Sequence, residues 1–351
     1  MSAVSSSRKT AIITGVTGQD GAYLAQYLLE QGYRVVGAVR RTSSVNHWRL
    51  AELGLLGNPG LELVDFDLGD ATSAIRLVAD HRPDEIYNLA AQSFVSVSFQ
   101  QPLATADMTA LGALRLLEAV RIVKPDTRFY QASTSEMFGK AQTPRQSETT
   151  PFYPRSPYAF AKLMAHWATV NYRESYGLFA VSGILFNHES PLRGKEFVTR
   201  KIADHVARVS LGDSAPLELG ALDAQRDWGY AREYVVGMHA MLQCERPDTF
   251  VLATGRSSSV RRFAELAYGI IGVALVWEGE GEGEQARDAR TGEVRVRVNP
   301  RLYRPAEVDV LLGDSAKAER ELGWRAQTGL ERLCQLMVEA DIRRNRQGLS
   351  F

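Results

Sequence analysis

The chain has 351 residues, 45% hydrophobic and 23% charged, and its 41 basic and 41 acidic side chains give a formal net charge of zero. This is an ordinary globular composition, long enough for a large α/β domain with an appended lobe, and its charge balance argues against a general nucleic-acid or membrane-surface binder. Cys244 and Cys334, the only two cysteines, are too few and too far apart for a disulfide framework or a thiolate metal site, which fits a reducing cytoplasmic setting.

Residues 1–9 are small and polar, without the apolar core of a signal peptide, and read as a disordered tail. No apolar run is long enough to span a membrane. Thr10-Ala11-Ile12-Ile13-Thr14 reads as a buried strand. Gly15-Val16-Thr17-Gly18-Gln19-Asp20-Gly21 follows at once, and residues 22–31 have helical periodicity. Strand, glycine turn and helix together form a phosphate cradle: glycines let the backbone approach a pyrophosphate, and the helix start supplies N–H groups and a positive dipole end. The spacing is Gly-x-x-Gly-x-x-Gly rather than the commoner Gly-x-Gly-x-x-Gly. A second strand over 34–39 runs into Arg40-Arg41, where the adenosine ribose of a dinucleotide would lie; arginine there pairs the 2′-phosphate of NADP, with Ser43, Ser44 and Arg49 nearby.

Strands are expected over 61–66, 85–89 and 128–132, separated by helices over 74–81 and 105–123. Asp67-Leu68 falls near an adenine, and the small residues of Leu89-Ala90-Ala91-Gln92-Ser93 suit the close approach of a flat cofactor. In doubly wound sheets ligands bind outside the carboxyl ends of the strands, which places Thr134, Ser135 and Glu136 within reach of a substrate. Prolines 144, 151, 154 and 157 mark a loop leading to a helix over 158–176. Tyr158 and Lys162, four apart, share one face of that helix, and a cation beside a phenol favours the phenolate, so the tyrosine becomes a candidate base toward a sugar hydroxyl. A sixth strand over 179–185 completes a Rossmann-like, doubly wound parallel sheet.

The pattern then changes. Helices are expected over 199–209, 263–271, 315–322 and 330–342, a short strand over 217–219, a loop over 225–230, and a strand over 250–253 that rejoins the sheet. The glycine- and charge-rich stretch 278–297 reads as a mobile loop or a hairpin with a solvated face. The division that follows is a dinucleotide-binding domain over 10–187, with 225–255 crossing back to it, and a smaller, mostly C-terminal α/β substrate lobe over 188–224 and 256–345.

Several strings raise the specificity: Thr14-Gly15-Val16-Thr17-Gly18-Gln19-Asp20-Gly21, Ser133-Thr134-Ser135-Glu136-Met137-Phe138-Gly139, Arg155-Ser156-Pro157-Tyr158, Phe186-Asn187-His188-Glu189-Ser190-Pro191, Arg226-Asp227-Trp228-Gly229 and Tyr303-Arg304-Pro305-Ala306-Glu307. In this order they resemble the extended short-chain dehydrogenase/reductases and, within them, the GDP-mannose 4,6-dehydratases, over about residues 10–341. The resemblance implies tightly bound NADP, GDP-D-mannose as substrate and GDP-4-keto-6-deoxy-D-mannose as product. It implies cofactor contacts from Gly15, Thr17, Gly18, Gln19, Asp20, Gly21, Arg40, Arg41, Asp67, Leu68, Leu89, Ala91, Ser93, Tyr158, Lys162, His188 and Arg193. It implies substrate contacts from Ser93, Glu136, Asn187, Val198, Lys201, Arg226, Arg304 and Glu307. Arg193 matches a residue that reaches the NADP of a neighbouring subunit, which implies a homotetramer built as a dimer of dimers, with the 43–49 segment at its cofactor-side interface. No metal constellation surrounds His188.

The roles implied are Tyr158 as base for the C4 hydroxyl, Lys162 lowering its pKa and holding the ribose, Thr134 orienting the C4 oxygen, and Glu136 removing the C5 proton. Related dTDP-glucose dehydratases carry Thr-Asp-Glu where this chain has Thr134-Ser135-Glu136. The acid for the C6 hydroxyl is therefore either Glu136 itself or a water relayed by Ser135. A 4-keto nucleotide-sugar reductase of the same fold and a non-catalytic NADP-binding protein are the alternatives. Glu136 speaks against the first, and the intact set Thr134, Glu136, Tyr158 and Lys162 against the second.

Overall fold

Ile12 and Ile13 are adjacent in the first strand and both are fully buried. Successive side chains of a strand point to opposite faces, so both faces of this strand must be covered. The computed structural model describes residues 8–303 and 310–349 and shows what covers them. Seven parallel strands, β1 (Thr10–Thr14), β2 (Arg34–Val39), β3 (Leu61–Asp65), β4 (Glu85–Asn88), β5 (Arg128–Thr134), β6 (Ala180–Leu185) and β7 (Thr249–Leu252), form one sheet in the order β3-β2-β1-β4-β5-β6-β7. The helices are α1 (Gln19–Glu30), α2 (Trp48–Glu52), α3 (Ala71–His81), α4 (Gly112–Val123), α5 (Pro157–Tyr176), α6 (Val198–Val209), α7 (Ala231–Gln243), α8 (Val260–Ile270) and α9 (Leu330–Arg346), with shorter helical pieces between. Ala11, Ile13, Val35, Tyr87, Tyr130 and Val181 pack against α1 and α7. Ile12, Val36, Ile86, Phe129 and Ala180 pack against α3 and α4 on the other face. The fold is the expected doubly wound α/β sheet.

A separate core joins α6, α8 and α9 through Ile202, Val206, Phe263, Tyr268 and Met337 to a four-stranded sheet of Leu217–Leu219, Leu275–Glu278, Gln285–Asp288 and Val294–Val298. Of the two readings of 278–297, the hairpin is observed: Ala286 and Val296 are fully buried in this core, while the alternate positions carry charge. The 225–230 segment, expected as a loop, instead forms two short strands, Gln225–Arg226 and Gly229–Tyr230. The expected helix over 105–123 is interrupted by a π-helical turn, Asp107–Leu111. Residues 1–7 of the expected tail lie outside the described residues, but Arg8 and Lys9 are held: Arg8 donates to the Gly32 carbonyl at 2.7 Å, and Lys9 pairs with the buried Glu85 at 3.2 Å.

The chain runs outward from β1 to β2 and β3, then crosses back to β4 on the other side of β1. That reversal opens a crevice at the carboxyl ends of β1 and β4, the position where ligands bind in such sheets. Among the described residues no helix is long and apolar enough to cross a membrane.

Candidate active site

The crevice is floored by the glycine turn. Thr14 closes β1 with a 2.7 Å hydrogen bond to Asn88 on β4. Gly15 then adopts a left-handed φ of 73°, and a Cβ there would lie 3.0 Å from the Ala90 nitrogen. At Gly21 a Cβ would lie 2.3 Å from the Gly15 carbonyl oxygen. Glycine is needed at both places, by conformation at the first and by contact at the second. Gly18 starts α1 without a side-chain cap, so the positive end of the helix faces the crevice. Thr17 lies in the same turn, and its carbonyl accepts from Arg49 at 3.2 Å.

The side chains of Gln19 and Asp20 are bonded to the segment that follows β6. Gln19 donates to the His188 carbonyl at 3.1 Å and accepts from Ser190 at 2.7 Å. Asp20 Oδ2 lies 2.8 Å from His188 Nε2, and His188 Nδ1 lies 2.7 Å from the Phe186 carbonyl. Burial opposes charge on both partners, yet the pairing holds Asp20 below and His188 above their ordinary pKa values. These residues tie the turn to the segment beyond β6. Arg40 and Arg41 stand exposed at the end of β2. Asp67 is exposed, accepting from the Gly69 amide at 2.8 Å. Leu68 is buried against Gly112, Leu89 and Ala91 are half-buried, and Ser93 is exposed beside them.

A second cluster forms where β5 ends. Thr134 caps the 3-10 turn Ser135–Met137, its Oγ1 accepting the Glu136 amide at 3.2 Å. Glu136 is buried. Across from it, Ser156 caps α5 by accepting the Ala159 amide at 3.1 Å, with Pro157 in the first turn, where its missing N–H costs nothing. Tyr158 and Lys162 are both buried on one face of α5, with Lys162 Nζ 6.0 Å from the Tyr158 ring centre. The Thr134 and Tyr158 side chains are hydrogen-bonded.

The titration of this pair departs from expectation. Burial pushes the Tyr158 phenol up to about 12; the Thr134 hydrogen bond pulls it down and the charge of Glu136 pushes it further up. Burial also lowers Lys162 to about 8, opposed by Asp20. The ammonium donates to the Ala132 carbonyl at 2.7 Å. Burial thus dominates the phenol's pKa in this arrangement, in which the Lys162 ammonium is turned to the Ala132 carbonyl.

Beside the cluster lies a cleft of about 570 Å³, between the carboxyl ends of the sheet and the second core. Asn187, Val198, Lys201 and Arg226, expected to contact substrate, line it together with Arg193. Ser93 and Glu136 are not part of its wall. Arg304 and Glu307 lie outside the described residues. Lys201 donates to the Glu218 carbonyl at 2.6 Å, and burial lowers its pKa. Arg193 pairs with Glu189 at 2.9 Å and stacks on Phe197 at 3.5 Å. Sequence reasoning missed the apolar and aromatic walls, Phe94, Phe99, Phe197 and Trp228, together with Arg301; no spacing distinguishes such aromatics from core residues. Among the described residues no group of three or more His, Cys, Asp or Glu side chains is placed to hold a metal ion.

Comparison with known proteins identifies the family and the fold. The sequence profile of the family described as GDP-mannose 4,6 dehydratase matches residues 12–337. A GDP-mannose 4,6-dehydratase of Sinorhizobium fredii is 55% identical over 341 residues, covering 95% of this chain and 97% of that one. The fold is shared with the UDP-glucose 4-epimerase of Thermotoga maritima, solved with UDP-glucose (TM-score 0.81, 22% identity, 96% and 99% of the two chains). It is shared too with the dTDP-glucose 4,6-dehydratase of Streptomyces venezuelae, solved with NAD (TM-score 0.79, 22% identity, 97% and 99%). The chain belongs to the GDP-mannose 4,6-dehydratase family.

Proposed function

We propose that the chain is an NADP-dependent hydro-lyase that converts GDP-D-mannose to GDP-4-keto-6-deoxy-D-mannose and water. The observation that carries this reading is the buried Glu136, two residues after Thr134 in the turn that Thr134 caps and close enough for its charge to act on Tyr158. Oxidation or reduction at C4 needs only the tyrosine, lysine and hydroxyl; elimination across C5 and C6 needs a carboxylate as well.

The crevice fits a dinucleotide. A Cβ at Gly15 would strike the main chain of residues 89–90 and one at Gly21 the main chain of the turn itself, so only glycine allows this tight turn; α1 begins there uncapped, and Arg40 and Arg41 stand exposed where a 2′-phosphate would lie. NADP, when bound, supplies a place for the C4 hydride to rest and returns that hydride to C6. Tyr158 takes the C4 hydroxyl proton while Thr134 holds that oxygen in line. The resulting ketone acidifies C5–H; Glu136 removes that proton, the C6 hydroxyl leaves as water with a proton from Glu136 or from water held by Ser135, and C5 takes a proton back as hydride reaches C6, so that one water is lost in all. Lys162 holds the ribose beside Tyr158. The cleft takes the GDP moiety: Arg193, Arg226 and Lys201 answer the pyrophosphate, and Phe94, Phe197 and Trp228 give flat apolar walls to a base. Residues 10–187 with 225–255 form the cofactor-binding part; 188–224 and 256–345 form the sugar-nucleotide lobe. Exposed Phe160, Met164 and Trp167 on the outer side of α5 support assembly, here taken as a cytoplasmic homotetramer.

The test is to incubate purified protein with GDP-mannose without added cofactor and follow nucleotide sugars by mass. Loss of one water, about 18 Da, with no net NADPH consumed supports a recycled cofactor. GDP-mannose left untouched even with NADP added removes the reading.

A further inference from the structure

Far from the reacting atoms, three arginines gather around one tryptophan. Trp48 of α2 has the guanidinium carbons of Arg49, Arg344 and Arg200 at 4.5, 5.4 and 5.8 Å from its ring centre. Arg200 on α6 and Arg344 on α9 are each only 1% exposed, and both bind the fully buried Asp341, at 2.6 and 3.0 Å. Arg344 also reaches Glu52 at the end of α2, at 3.1 Å.

Each arginine of this hub also bonds a segment next to the active site. Arg200 donates to the carbonyls of Pro191 and Arg193 at 3.2 and 2.7 Å, and Arg344 donates to that of Pro191 at 2.7 Å. They thus hold the loop that follows His188 and carries Arg193. Arg49 donates to the Leu192 carbonyl at 2.7 Å and to the Thr17 carbonyl, inside the glycine turn, at 3.2 Å. The hub therefore connects two helices of the second core to α2, to the glycine turn and to the cleft-lining loop.

Stability alone does not account for it. Buried ion pairs are often matched or bettered by apolar residues of the same volume, because desolvation consumes most of the Coulomb gain. Here two buried guanidiniums, Arg200 and Arg344, and the half-buried Arg49 converge on one tryptophan ring, with Asp341 and Glu52 beside them. What an apolar replacement could not do is make five hydrogen bonds to four backbone carbonyls at once.

We infer that Trp48, Arg200, Asp341 and Arg344 are positioning residues through which the C-terminal helix sets the shape of the dinucleotide cradle, with Arg49 as the connection to Thr17. The inference rests on the NADP-binding reading given above. None of the four has to touch cofactor or sugar; they act by holding Arg49 and the 191–193 loop.

The test is calorimetric titration of the full-length protein with NADP and, separately, with GDP, together with thermal melting. Trp48→Leu is expected to weaken NADP binding about tenfold, the effect of losing desolvated cation–π support, and GDP binding less than threefold. Trp48→Phe, which keeps an aromatic face, is expected to recover NADP affinity to within about threefold. Glu233→Gln serves as the comparison: Glu233 anchors the backbone amides of Gln327 and Thr328 at 3.0 Å each, away from the hub, so it lowers the melting temperature and leaves NADP affinity unchanged. A folded Trp48→Leu protein that binds NADP as the wild type does overturns the inference. Should Trp48→Leu not fold, Glu52→Gln decides, with about threefold weaker NADP binding in support and no change against. Wild-type protein that binds GDP but no NADP overturns the functional reading and this inference together.

Discussion

The hydroxyl of Thr134 accepts the backbone amide of Glu136 at 3.2 Å, so one side chain both bonds Tyr158 and shapes the turn that presents the carboxylate. A Thr134→Ser variant keeps that cap and is expected to retain turnover within about tenfold. Thr134→Val loses the cap and the contact to the C4 oxygen, with a fall in kcat of about 10²-fold or more. Steady-state kinetics on the two variants check this; a serine variant that loses turnover while the valine variant keeps it would assign the methyl group, not the hydroxyl, the important role.

Glu136→Gln keeps the size and removes the base. The expectation is a purified protein that still carries NADP while its turnover is about 10³-fold lower. Solvent deuterium adds a second readout: exchange at C5 stops in the variant if Glu136 is the base. Normal exchange with slow product formation would place Glu136 at the C6 hydroxyl instead.

His166 gives a pH dependence of stability. It is buried one helical turn beyond Lys162, its Nδ1 2.7 Å from Ser182 Oγ and 3.3 Å from Ser133 Oγ. Burial lowers its pKa from an ordinary 6.5 to about 4, with Arg173 adding to the effect. The unfolded chain thus binds a proton below pH 6.5 that the folded chain refuses until about pH 4. Stability from this group is complete above pH 6.5 and falls as pH drops through that window, by roughly 3 kcal/mol at most. Urea unfolding between pH 4 and 7 measures the slope. A His166→Gln variant is expected to lose stability at pH 7 and show a flatter acid limb; an unchanged limb would mean other groups govern it.

Much of this was legible in the chain. β1, β2 and the 217–219 strand fall on the residues read from the sequence, because runs such as Ile12-Ile13 or Val35-Val36 leave no helical alternative beside a glycine turn. Tyr158 and Lys162 meet because four residues make about one helical turn. What stayed hidden depends on distance in sequence. Arg200 and Asp341 are separated by 141 positions, and a charged residue read alone looks like solvated surface. Helix α2 has only five residues, too few for a periodicity to show; packing of Trp48 and the bonds of Arg49 hold it. The tyrosine's pKa also escaped the sequence, since spacing reveals a neighbouring cation but not the water removed from both.

Gly21 is a steric test of the cradle. A Cβ there would meet Val16 Cα at 2.6 Å as well as the Gly15 oxygen, both main-chain atoms. Gly21→Ala is expected to cost about 2–3 kcal/mol and to abolish retention of NADP, because α1 must move off the turn. Chemical denaturation with cofactor analysis checks both halves. An alanine variant that keeps its cofactor would show that α1 can shift without opening the cradle.

The preference for NADP rests on Arg40 and Arg41, exposed where β2 ends. Neither is needed for the core, so substitution there separates recognition from folding. The double variant Arg40→Asp, Arg41→Ser should melt at nearly the wild-type temperature. Loss of two charge-assisted contacts to a 2′-phosphate weakens NADP binding by about 10²-fold, at roughly 1.4 kcal/mol per factor of ten. NAD, which has a hydroxyl there, should bind no worse than before and can gain a hydrogen bond to the new aspartate. Parallel titrations with the two cofactors decide. If both weaken equally, the arginines act through the general field of the crevice; if neither changes, the 2′-phosphate is read by other residues.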